Sequence, residues 1–91
     1  MQKTVEPTAM QNIESAYIMI NCEFGAESSV IEQLKSIPSI KEVLGVFGNY
    51  DVLVKIQAPS AESLRNIITF QIRKIPQICC TTTIMCSKMI F

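Results

Sequence analysis

The sequence predicts a single α+β domain: four strands in one antiparallel sheet, two helices on one face, in the order β-α-β-β-α-β. Three observations carry this. Apolar runs suited to strands alternate with stripes at helical spacing, and each stripe is stopped by a proline, Pro38 or Pro76. The form Ile-Pro-x-Ile occurs twice, at Ile37-Pro38-Ser39-Ile40 and Ile75-Pro76-Gln77-Ile78, 75 − 37 = 38 residues apart, each time at a helix-to-strand junction. Between the two halves lies Phe47-Gly48-Asn49-Tyr50-Asp51, where Gly48 and Asn49 tolerate the positive φ that a two-residue hairpin of the primed turn types requires.

Residues 1–14 are polar and without a period, and read as a flexible extension with a short helical turn around Thr8 to Ile13. Ala16 to Cys22 is a nearly continuous apolar run, as expected of a central strand covered on both faces. Phe24-Gly25 breaks it. From Ala26 to Ile37 the apolar residues Val30, Ile31, Leu34 and Ile37 share one helical stripe. Pro38 ends that helix and restricts Ile37 before it. Ile40 to Phe47 is the second strand and Tyr50 to Gln57 the third, with Val52, Val54 and Ile56 alternating against Leu53, Lys55 and Gln57. Ser60 is a good N-cap for a second helix, and Glu62 suits the dipole of its first turn. Leu64, Ile67, Ile68, Ile72 and Ile75 make that helix's stripe, and Arg73 and Lys74 suit its last turn. Ile78 to Ile90 is the last strand. Two β-α-β units split by one hairpin form the ferredoxin-like arrangement, whose uncovered sheet face must meet something.

A chain of 91 residues, 48% hydrophobic, 18% charged and formally neutral, is neither a disordered tail nor a basic nucleic-acid binder. A domain this small buries only part of its apolar surface alone, which points to a homo-oligomer. No run is long enough to span a membrane, and the N-terminus lacks the features of a signal peptide, so the chain reads as cytoplasmic. Four cysteines, Cys22, Cys79, Cys80 and Cys86, are poorly spaced for a stapled scaffold and are expected to act as small buried hydrophobes. The chain has no histidine, which removes the commonest general base, His-paired nucleophiles and imidazole metal ligands.

An enzyme is therefore not expected, and no cofactor is implied. Glu27, Glu32 and Glu62 fall on exposed helix positions, and Asp51 is the only aspartate. A soft-metal site built from Cys22, Cys79, Cys80, Met85, Cys86 and Met89 is one alternative, and a purely structural oligomerisation module is another. Strand alternation splits the thiophilic side chains between two faces, which favours packing over copper or zinc. Thr81-Thr82-Thr83 differs, because Thr81 and Thr83 share a face and present two hydroxyls together. The turn amides at 48–50, Asp51 and this pair could supply the donors and the acidic acceptor that a small zwitterion such as an amino acid needs. The plain readings remain a hairpin tip and β-propensity.

Val46-Phe47-Gly48-Asn49-Tyr50-Asp51-Val52, followed by Ile75-Pro76-Gln77-Ile78-Cys79-Cys80-Thr81-Thr82-Thr83, resembles the effector-binding domain of the Lrp/AsnC regulators. The resemblance covers about Ser15 to the C-terminus. It rests on a glycine-x-tyrosine-aspartate turn and on a proline-led entry into a fourth strand bearing spaced threonines. It implies a dimer closed through the open sheet face into an α/β barrel, higher homo-oligomers, and an amino acid or similar effector bound between dimers. By the same resemblance Gly48, Asn49, Tyr50 and Asp51 contact the ligand, and Thr81 and Thr83 line the site.

Two departures qualify it. The family's regulators carry an N-terminal helix-turn-helix, for which residues 1–14 leave no room, so the stand-alone form is the better match. Direct nucleic-acid binding is then not expected, although co-assembly with a full-length regulator is. Gln77 stands where the family has glycine, so the turn into the last strand must form without a φ > 0 residue. Domain organisation is read as an extension over 1–14 and a ligand-binding domain over 15–91.

Overall fold

A computed structural model of the chain describes residues 13–86. The elements are β1 (Glu14–Cys22), α1 (Glu27–Lys35), β2 (Ile40–Gly45), β3 (Val52–Ala58), α2 (Ala61–Ile67), which runs on as a π-helical turn (Ile68–Ile72), and β4 (Ile78–Met85). The strands pair in the order β2-β3-β1-β4, antiparallel throughout. This is the ferredoxin-like β-α-β-β-α-β fold that the element order predicts.

The register explains where the core sits. On the helix side the rows across the sheet read Ile40, Ile56, Ala16, Met85; then Val43, Val54, Ile18, Thr83; then Gly45, Val52, Ile20, Thr81. The β1 and β3 members of these rows are fully buried, and Val30, Leu34, Leu64, Ile68 and Ile72 close over them from the two helices. Burying a branched aliphatic side chain of this size is worth roughly 1.5–3 kcal/mol, so the period-2 pattern of β1 and β3 pins the register against a one-residue slip. On the opposite face the rows read Leu44, Leu53, Met19, Thr82 and Glu42, Lys55, Tyr17, Ile84. Leu44 and Ile84 are exposed there, and β1 is covered on one face only within this chain, not on both.

Several element ends differ from the sequence reading. The connection between β2 and β3 is longer than a two-residue hairpin. Val46 N–H donates to the Asp51 carbonyl at 3.0 Å, leaving residues 47–50 as the loop, and Phe47 stands fully exposed outside the strand. Gly48 does take positive φ, at 114°. The first helix is shorter than 26–37, because Ser36 already caps it two residues before Pro38. In α2 the Ser60 hydroxyl accepts from the Ser63 N–H at 3.1 Å, as an N-cap should. The cysteines are the largest difference: Cys22 is buried, but Cys79 and Cys80 are exposed and Cys86 is half-buried. A register shift opposite Asn21 and Cys22 at the start of β4 loosens the ladder there, and as an edge strand β4 is only partly covered by α2. The extension, its helical turn at Thr8 to Ile13 and the strand beyond Cys86 lie largely outside the described residues.

Candidate functional site

The loop between β2 and β3 is held against the end of β1 by three contacts. The Asp51 N–H donates to the Ile20 carbonyl at 2.9 Å, and Asp51 Oδ2 accepts the Cys22 N–H at 2.9 Å. Asn21 Nδ2 donates to the Asn49 carbonyl at 2.7 Å. Asp51 thus bonds β1 with both its main chain and its carboxylate. A charged acceptor makes the second bond stronger than a neutral one.

Asn21 is the residue that sequence reasoning missed. Besides holding Asn49, its Oδ1 accepts from Cys80 Sγ at 3.3 Å, so it joins the loop, β1 and β4 on the uncovered face. The available signal was a lone amide in the run from Ala16 to Cys22. Cys22 lies beneath this corner. Burial pushes its thiol above the ordinary value, and the nearby Asp51 carboxylate adds to the rise.

Gly48, Asn49, Tyr50 and Asp51 therefore come together at one end of the sheet, with Asp51 and Tyr50 half-buried. Thr81 and Thr83 share a face, as alternation requires, but it is the helix side. Each ends an apolar row two strands away from β3, roughly 10 Å at ordinary strand spacing. Thr81 lines a hollow with Arg73, Ile78, Cys79 and Cys80, whereas Thr83 lines a separate groove with Arg65, Ile68, Thr69 and Met85. Gln77, in place of the family's glycine, is tied on both sides. Its carbonyl accepts the Glu23 N–H at 2.8 Å, and its side chain accepts from Gln33 Nε2 at 3.2 Å. Among the described residues no three metal-ligating acids or thiols converge.

The architecture is thus a helix-backed antiparallel sheet with a pinned acidic loop at one end and an open face. The chain belongs to the Lrp/AsnC ligand binding domain family, whose model matches residues 15–91. It is 32% identical over 84 residues to the HTH-type transcriptional regulator FL11 of Pyrococcus horikoshii, covering 92% of this chain and 55% of the regulator. It is 34% identical over 87 residues to a homocitrate synthase of Sulfurisphaera tokodaii, covering 94% of this chain but 18% of the enzyme. The chain thus spans little more than half of one curated relative and under a fifth of the other. The crystal structure of FFRP-DM1 superposes with a TM-score of 0.79 at 35% identity, covering 81% of this chain and 99% of that one. No helix among the described residues is long and apolar enough to cross a membrane.

Proposed function

We propose that this domain binds an amino acid or a closely similar metabolite and acts as a regulatory, non-catalytic module through homo-oligomers. The observation that carries the reading is the loop at 48–51, whose only carboxylate is fixed against β1 at a half-buried corner, a position suited to meeting an ammonium group. The 35% identity to FFRP-DM1, over 81% of this chain and 99% of that one, supports a domain of this fold as the binding module. The open face, with Tyr17, Met19, Leu44, Leu53 and Ile84, is the surface on which a second copy would close the barrel. Thr81 and Thr83 lie away from the loop of their own chain, so they complete the site only where copies meet.

A thermal-shift screen of the twenty amino acids, followed by calorimetry on the responder, tests this. Asp51→Asn keeps an oxygen for the Cys22 N–H and removes the charge, so it should abolish binding while the fold persists. Unchanged affinity in Asp51→Asn would remove Asp51 from the site.

A second reading concerns the partner. The homocitrate synthase match covers nearly this whole chain within a much larger enzyme, which supports regulation of a biosynthetic enzyme as well as co-assembly with a transcriptional regulator. Co-purification of the domain with each class of partner, with and without the responding amino acid, separates the two.

A further inference from the structure

The edge of the sheet away from the loop holds a second constellation. Between α2 and β4 runs a groove of about 300 Å³ lined by Arg65, Ile68, Thr69, Thr83 and Met85. Arg65 and Thr69 lie one helical turn apart, and both line the groove together with Thr83. Among the described residues the Arg65 guanidinium has no ion-pair or hydrogen-bond partner, and Glu62, three residues before it on the same helix, does not engage it. The hydroxyls of Thr69 and Thr83 are likewise uncommitted among the described residues. Ile68, which is buried, and Met85 give the groove an apolar floor.

The helix is also irregular at this point. At Ile68 it passes from α to π geometry, with the Arg73 N–H donating to the Ile68 carbonyl at 2.9 Å. π turns are rare and occur frequently at functional sites, because the widened turn re-aims the side chains that follow it.

The geometry points to a binding site for short aliphatic carboxylates in this groove. The guanidinium holds the carboxylate, Thr69 and Thr83 donate to it, and Ile68 and Met85 receive the alkyl chain. A guanidinium presents several donors in a fixed fork matched to a carboxylate. The volume suits a ligand of a few carbon atoms, at the lower end of small-molecule sites. The site shares Thr83 with the proposed amino-acid site but needs no ammonium group and no contribution from Asp51, so the two readings are tested separately.

The test uses sodium valerate, with valeramide as the uncharged control, titrated into 15N-labelled protein. Valerate should shift the amides of Ile68, Thr69, Thr83 and Met85 saturably, and valeramide should not. Arg65→Gln should weaken valerate binding at least tenfold and Thr83→Val several-fold, with both spectra otherwise native. Asp51→Asn should leave it unchanged. Equal responses to valerate and valeramide, wild-type affinity in Arg65→Gln or in Thr83→Val, or saturable shifts confined to residues 48–51 would each overturn the assignment. Failure of Asp51→Asn to affect amino-acid binding would sink the loop reading and leave this one standing.

Discussion

Replacing Asp51 by alanine removes the acceptor of the Cys22 N–H, a 2.9 Å bond in a partly buried corner. Hydrogen bonds to charged groups contribute about 1.5–3 kcal/mol, and the orphaned donor adds a desolvation cost of similar size only where water cannot reach it. The corner is half-exposed, so water recovers part of that second cost. The main-chain bond from the Asp51 N–H to Ile20 survives the substitution. The expected loss for Asp51→Ala is therefore about 2 kcal/mol, with about 1 kcal/mol or less for Asp51→Asn, which keeps a neutral acceptor. In a domain of this size each kcal/mol moves Tm by roughly 4–8 °C. Urea unfolding at pH 7, with m unchanged, reads the difference directly. If Asp51→Ala lost less than about 0.5 kcal/mol, or if the two variants were equally destabilised, the carboxylate would not be holding β1 to the loop.

Three further outcomes follow from the same structure. Gly48→Ala should cost about 1–3 kcal/mol in thermal unfolding, because φ is 114° there although no atom lies within 4 Å of an added Cβ. Gly45→Ala is its control: that glycine lacks the positive φ, and its nearest neighbour to an added Cβ, Ile31 Cδ1, sits at an ordinary 3.9 Å. The Cys22 thiol is raised in the folded state from an ordinary 9.0. Its stability contribution is whole below that pH and declines as pH rises through the raised value, since only the unfolded chain then ionises readily. Urea midpoints of wild type and Cys22→Ala should thus diverge less as pH climbs above about 9, and parallel curves would contradict the shift. Leu44→Lys combined with Ile84→Lys places two charges on the uncovered face and should convert a dimer into monomers by light scattering, with circular dichroism unchanged. A dimer that persists would place the interface elsewhere.

The parts of this molecule legible in the sequence are those fixed by periodicity and by proline. The alternation of Val52, Val54 and Ile56 named the buried face of β3 residue by residue, and Pro38 and Pro76 placed both helix-to-strand junctions. The loop was legible as a turn but not in its length, because Gly48 alone satisfies the need for positive φ and the bond from Val46 to Asp51 sets a wider closure. The cysteines misled. Composition marks Cys as buried, yet strand position decides it: β4 is an edge strand only partly covered by α2, and Cys80 pairs with Asn21 on the uncovered face. Thr81 and Thr83 were correctly placed on one face. Which face, and which neighbours, depends on pairing with Ile20 and Ile18 across the chain, and local pattern does not encode that pairing. Arg65 and Thr69 escaped notice for the same reason: on the sequence they are ordinary surface residues of a helix, and only β4 makes them a groove.

The loop at 48–51 is where an amino acid is expected to sit. Crystals grown with the amino acid that most raises Tm provide the direct test. Ligand density is expected at residues 48–51, with the ammonium on the Asp51 carboxylate and a second copy closing over it. Ligand density found only at positions remote from Asp51 in every copy would contradict it.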